Sequence, residues 1–193
     1  MKTTILTAAF AFSSITMLHA QKSDTALLLI DIQDFYFPGG KMELVNPEPA
    51  ARKAASLLNE FRKEGLPVVH IRHNMEPGGE INNIVKPLQG EKVISKNEVN
   101  SFLGTDLLDY LKSRNVKTLI ICGMQTHMCV EAATRAGSDL GFKCILIHDA
   151  CATRDLRFNE KIIKAEDVHY STLSTLKNYA SVISADEFLT SFK

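Results

Sequence analysis

Residues 117–141 read KTLIICGMQTHMCVEAATRAGSDLG, and the reading of this stretch organises the whole chain. The apolar run 118–122 has the length and composition of a buried strand. A Gly-Met-Gln-Thr corner follows, then an alanine-rich segment expected to be helical and to stop at Gly141. Cys129 falls at the start of that helix, where unpaired N–H groups and the helix dipole favour an anion. A cysteine so placed is expected to have a lowered thiol pKa and to serve as a nucleophile. The bland alternative is a small buried core thiol.

Working outward, the same strand-then-helix rhythm recurs. Residues 26–32 (ALLLIDI) form a continuous apolar run ending in an acid, as expected of a central strand buried on both faces. Residues 33–40 are a loop carrying Phe35, Tyr36 and Phe37. In 49–64 the spacing of Ala50, Ala54, Leu57, Leu58 and Phe61 predicts a one-sided helix, closed by Gly65. Residues 66–71 read as the next strand, and 72–90 as a long polar excursion of the kind that forms lids or binding loops. A short strand is expected at 92–95, helix at 105–114, strand at 144–148 and one long helix over 159–178. A last strand at 181–184 and a helix at 185–192 close the chain. Strands alternating with helices imply an α/β fold, a three-layer α/β/α sandwich around a mainly parallel sheet. The site of such a sheet lies at the carboxyl ends of its strands, where Asp31, Lys96, Cys129 and Asp149 fall.

Composition narrows the partners. Lys+Arg and Asp+Glu are equal at 22 each, and no basic tract stands out, so nucleic acid and anionic membrane are poor partners. A small-molecule substrate suits this surface. Residues 1–20 read as a signal peptide: Lys2 supplies the charged start, 5–17 is apolar and uncharged, and Leu18-His19-Ala20 precedes a polar turn. The apolar run is too short to span a bilayer comfortably. The expected mature domain is 21–193, exported to a periplasmic or extracellular location and held to no membrane after cleavage. Export permits disulfides, yet Cys122, Cys129, Cys144 and Cys151 do not have the distribution of a disulfide framework. Cys122 and Cys144 are expected inside strands, and Cys151 just past one, on the rim shared with Cys129.

Asp31, Lys96 and Cys129 make chemical sense as one site. A thiol needs a proton acceptor, which a carboxylate at a buried strand end supplies with its pKa raised by burial. An ammonium beside them steadies both the carboxylate and the thiolate. A loop-capping aspartate and an ordinary solvated lysine are the alternatives for the first two.

With these residues in view, the chain resembles the isochorismatase-like cysteine hydrolases, which include nicotinamidases and N-carbamoyl-amide hydrolases. The resemblance spans nearly the whole mature chain through LLLIDIQDFYFPGG, GEKVISKNEVNSFLGTDLLDYL and GMQTHMCVEAATRAGSDLGFKCILIHDACAT. It implies Asp31, Lys96 and Cys129 as a catalytic triad and a cis peptide between Met124 and Gln125. It also implies an oxyanion hole from the Gln125 and Cys129 N–H groups, and a substrate pocket lined by Tyr36, Phe102 and His127. A homo-oligomer is open on the same grounds.

The chain departs from the resemblance in HIRHNMEPGGE. Nicotinamidases hold a divalent metal through an Asp-x-His pair here; in this chain His73 and Met75 take those places. Met is a poor ligand for such ions, so no metal and no cofactor is expected. His70 and His73, three apart on a strand, are expected to point to opposite faces. A retained cysteine favours acyl chemistry on a C–N bond of a small amide or ureide. Vinyl ether hydrolysis, a non-catalytic binding protein on the same scaffold, and phosphotransfer to Asp31 are the competing readings.

Overall fold

The computed structural model describes residues 24–192. The expected signal peptide, 1–20, lies outside the described residues. Six strands form one sheet in the order β3-β2-β1-β4-β5-β8, every neighbouring pair parallel. They are β1 (Thr25–Ile30), β2 (Val68–His73), β3 (Lys92–Lys96), β4 (Thr118–Met124), β5 (Lys143–Ala152) and β8 (Ala180–Ile183). The central strands β1, buried throughout, and β4, buried from Leu119 on, are the continuous Leu/Ile runs of the sequence. The helices are α1 (Pro47–Lys63), α2 (Leu107–Ser113), α3 (Glu131–Asp139), α4 (Ala165–Leu176) and α5 (Ala185–Ser191).

The chain winds outward from β1 to β3, then returns to the other side of β1 to build β4, β5 and β8. Right-handed crossovers in these two opposite directions put helices on both faces. α1 and α5 share one face, where Phe61 stacks on Phe188 and Phe192 at 6.3 and 5.3 Å. On the other, α3 presses close to the sheet at Gly137, where an added Cβ would stand 3.1 Å from Leu119 and 3.2 Å from Cys144. The reversal of winding leaves a crevice at the carboxyl ends of β1 and β4, where parallel sheets bind ligands.

Gly123 closes that junction. It is paired in register with Ile30, has φ of +129°, and a Cβ there would collide with the Ile30 carbonyl oxygen. Only glycine lets β4 lie this close to the turn that carries Asp31.

Three elements differ from expectation. The long helix at 159–178 is shorter: residues before Ala165 form an antiparallel hairpin, β6 (Leu156–Phe158) with β7 (Lys161–Ile163). Asn159 takes the left-handed conformation at the hairpin's turn, φ 53°, and Lys164 remains extended before α4 begins. Of Thr172, Leu173, Leu176 and Ala180, expected toward the core from this helix, the first three are buried in α4, whereas Ala180 is half-buried and begins β8. Strand β5 continues past His148 to Ala152 because an irregularity in register re-engages Gly123 with Cys151 and Met124 with Ala152. Asp149 and Cys151 therefore lie within the strand rather than beyond it. Asp149 accepts a hydrogen bond from Ala185 N–H at 2.8 Å and faces Lys53 at 3.6 Å, so it serves the α1/α5 side. Finally, Cys129 is not in the α-helix. It lies in a single π-helical turn, Thr126–Val130, and α3 starts only at Glu131.

Candidate active site

Each element of the crevice delivers one group. Asp31 follows the last residue of β1 in a left-handed conformation (φ 48°) that turns the chain out of the sheet. Lys96 is the last residue of β3, in register with His73 at the end of β2. Cys129 hangs from the π turn after β4. All these side chains are held inside: Asp31 is 0% exposed, Lys96 1% and Cys129 5%.

Lys96 is the centre. Its ammonium stands 2.8 Å from Asp31 Oδ2 and 3.2 Å from Cys129 Sγ, and it donates to the Glu98 carbonyl at 3.1 Å. His73 Nδ1 lies 3.2 Å away on a further side. The Asp31 contact is an ion pair without an aligned hydrogen bond, which leaves the carboxylate lone pairs free to accept a proton. Burial raises the Asp31 pKa, against the pull of the Lys96 charge.

The thiol behaves opposite to expectation. Burial and then the Asp31 charge push Cys129 up to about 12, against a smaller lowering by Lys96. A buried crevice with one ammonium accommodates one anion, and the carboxylate, the stronger acid, takes that place. The resting site is therefore carboxylate, ammonium and neutral thiol. Cys144 and Cys151 are likewise pushed up to about 12 by burial, and Cys122 well above the ordinary thiol value. All four cysteines are free thiols.

The substrate-side residues divide. Tyr36 is buried and its hydroxyl accepts from Gln125 Nε2 at 3.2 Å, beside the cis Met124–Gln125 peptide. His127 Nδ1 meets Thr153 Oγ1 at 2.6 Å. Phe102 is placed elsewhere: its ring stacks on Phe142 at 6.2 Å and lies against Gly137. Gly137 is eight residues past Cys129, roughly 12 Å along a helix. The structure sets Phe102 against Gly137 and Phe142, toward the far end of α3 from the thiol.

His73 and Gln33 join the site although no role was read for them in the sequence. The buried Gln33 accepts from His73 N–H at 2.7 Å and donates to the His73 and Gly79 carbonyls at 3.0 and 2.7 Å. It pins the end of β2 beside β1. His70 points to the other face, as expected, where Nε2 pairs with Glu91 at 2.9 Å. One available signal was the period of two: His73 shares a face with Ile71, and His70 does not.

Asp31, His73 and Cys129 offer three ligand atoms within 4.8 Å of one another, the spacing of a metal centre. These residues do not suit a resident metal, because the Lys96 ammonium already contacts all three at 2.8–3.2 Å. A cation placed among the three would stand against a buried ammonium. Met75 contributes to the core instead.

The fold accords with known proteins. The Isochorismatase domain matches residues 25–187. The chain belongs to the isochorismatase family. Bacillus subtilis (strain 168) has an uncharacterized isochorismatase family protein, YddQ, that is 46% identical over 177 residues, 86% of this chain and 98% of YddQ. A streptothricin hydrolase of Streptomyces noursei is 33% identical over 68% of this chain and 55% of its own. The crystal structure of an isochorismatase from Pseudomonas putida KT2440 superposes with a TM-score of 0.82 at 33% identity, covering 86% of this chain and 90% of that one. The protein is thus a hydrolase of the isochorismatase family, on the mainly parallel α/β sheet that the family shares.

Proposed function

We propose that this isochorismatase-family protein is an exported cysteine hydrolase that cleaves a C–N bond of a small amide or ureide through a thioester on Cys129. The observation that carries the reading is the Lys96 ammonium placed between Asp31 Oδ2 and Cys129 Sγ. A thiol kept neutral by burial needs a base in contact as it attacks, and Asp31 is that base.

The Cys129 Sγ–H bond breaks as the sulfur attacks the carbonyl carbon, and the proton passes to Asp31. The negative charge that develops on the carbonyl oxygen is taken by the Gln125 and Cys129 N–H groups. As the tetrahedral intermediate collapses, the C–N bond breaks and Asp31 returns its proton to the leaving nitrogen. Water, deprotonated by Asp31, then opens the thioester and restores the thiol. Lys96 holds the carboxylate in line and steadies each anionic state. The relation to a protein named streptothricin hydrolase supports hydrolysis of a small molecule. Export rests on Lys2 and the uncharged apolar run after it.

An ammonia-release screen over small amides and ureides tests the chemistry, with Cys129→Ala as control and with and without chelator. Ammonia release that needs Cys129 and ignores chelator supports the reading. Pyruvate release from a chorismate relative, undiminished in Cys129→Ala, would replace it with vinyl ether hydrolysis. Sequencing the N-terminus of protein recovered outside the cytoplasm tests export; recovery of all the protein in the cytoplasm with Lys2 retained defeats it.

A further inference from the structure

Gln125 is a buried polar side chain of the crevice that is left half satisfied. Its backbone carbonyl is taken by the Met128 and Val130 N–H groups at 3.0 and 3.3 Å, which fixes the residue at the head of the π turn. Its side chain is buried, the residue being 2% exposed, and Nε2 donates to the Tyr36 hydroxyl at 3.2 Å. Oε1 is buried without a hydrogen-bond partner among the described residues. Gln33 shows what a structural buried glutamine looks like in this chain: both ends of its amide are committed to the backbone of His73 and Gly79. A buried amide oxygen is costly to leave unpaired, so Gln125 Oε1 points to an N–H of a ligand.

Tyr36 completes the pattern. Its oxygen accepts from Gln125, so its own hydrogen is directed elsewhere, and no described residue accepts it. Burial raises the Tyr36 pKa, so the phenol keeps that hydrogen at neutral pH. The charges of Asp31 and Cys129 reach the same hydroxyl, which sets it in the crevice of the catalytic groups. The ring is buried and packs edge-on against Phe35 at 4.3 Å, so the hydroxyl is held in place. Side by side, the two residues offer one donor, Tyr36 O–H, and one acceptor, Gln125 Oε1. The edge of a primary carboxamide carries the reciprocal pair, a C=O and an N–H. A carboxylate would bring acceptors alone and an ammonium donors alone, so the match is to an uncharged group.

We infer that Tyr36 and Gln125 together select the substrate: a primary amide or ureide with a second, uncharged carboxamide edge at its far end. The far C=O accepts from the Tyr36 hydroxyl and the far N–H donates to Gln125 Oε1, while the scissile carbonyl sits at Cys129. The assignment rests on the hydrolytic reading for its catalytic consequence, but recognition of the carboxamide edge does not depend on turnover.

The test varies the far end of the substrate and holds the scissile amide constant. Diamides from malonamide to glutaramide are each compared with the keto amide in which a methyl replaces the far amino group. A branched alkyl amide, with methyls in place of both far groups, completes each set; for succinamide the two are levulinamide and isocaproamide. Ammonia release per scissile amide gives kcat/KM. In the wild-type protein the best diamide should exceed its keto amide, and the keto amide its alkyl amide, each by about 5–150-fold, the cost of stranding one buried polar group. In Gln125→Met the first ratio should fall to within about threefold while the second is kept. In Tyr36→Phe the second should fall in the same way. Each ratio is taken within one protein, so a lower absolute rate in either variant does not enter it. Circular dichroism and thermal unfolding of both variants establish that they are folded. Calorimetric binding of succinamide and levulinamide to Cys129→Ala, with and without Gln125→Met, reads the site without chemistry. If no amide is hydrolysed yet succinamide binds more tightly than levulinamide in a Gln125-dependent manner, the hydrolytic reading fails and the recognition stands. A wild-type ratio of diamide to keto amide near one, a ratio unchanged in Gln125→Met, or equal binding of the two overturns the inference.

Discussion

His73 Nδ1 faces the Lys96 ammonium at 3.2 Å. Burial and the Lys96 charge both lower the His73 pKa, so at neutral pH the ring presents a lone pair to the ammonium rather than a second positive charge. Lys96 is thereby held by one more contact beside its catalytic ones, and His73 acts as a positioning residue. His73→Ala should reduce kcat by about tenfold or more, the worth of one hydrogen bond to a charged group, with KM within about twofold. His73→Gln, which can supply an acceptor oxygen, should recover part of the loss. A change confined to KM would place His73 on the substrate instead.

Asp31 and Lys96 form a buried pair with both side chains 0% exposed. Removing either partner alone leaves an uncompensated charge, so Lys96→Met or Asp31→Asn should destabilise the protein by about 3–5 kcal/mol. The double variant should be less destabilised than the sum of the singles, because neither charge is then stranded. All three variants should lose turnover by at least about a hundredfold. Urea denaturation of the four proteins measures the cycle; additivity would show that the pair is not coupled.

Thiol reactivity should separate from turnover. Cys129 is pushed up to about 12, with the Asp31 charge among the causes. Iodoacetamide should therefore react more slowly than with a free cysteine at pH 7, and faster as pH rises. Cys129 should still be labelled first, since Cys122, Cys144 and Cys151 are buried without an ammonium contact. Asp31→Asn should speed alkylation by roughly tenfold per pKa unit recovered, because Lys96 then pairs with the thiolate, while abolishing hydrolysis. Lys96→Ala should slow it. Peptide mapping by mass spectrometry reads the site; label appearing first on Cys151 with activity intact would remove Cys129 from its role.

Stability should fall on mild acidification. His70, His73, His127 and His169 all have pKa values lowered from 6.5, in each case chiefly by burial. Between their folded values and 6.5 the unfolded chain binds more protons than the folded one, so stability is lost as pH drops below 6.5. Glu91, lowered to about 2 with Arg62 and His70 as partners, adds a further loss as pH falls below 4.5. Asp31, raised by burial, works in the opposite sense from pH 3.8 upward to its raised folded value. Urea midpoints at pH 7.5, 6.5 and 5.5 should decrease in that order; a flat profile would contradict the buried neutral histidines.

The apolar runs of β1 and β4, the one-sided spacing of α1 and its glycine stop were legible in the sequence because each is set by neighbours within a few residues. Gly65 and Gly141 do take positive φ where those two helices end. Asp31, Lys96 and Cys129 could be singled out for the same reason: each stands at the end of a short-range pattern, and a parallel sheet brings such ends to one rim. What tertiary structure alone decided concerns distance across the chain. The Val69–Lys92 to His73–Lys96 register put His73 beside Lys96, and the irregular β4–β5 register set Ala152 beside Met124 at the Gln125 turn. The 97–106 segment took Phe102 away to Phe142. The thiol's protonation depended on burial and a carboxylate 98 residues earlier, and the hairpin before α4 on a left-handed Asn159. Desolvation and strand register are sums over residues remote in sequence, which local periodicity does not contain.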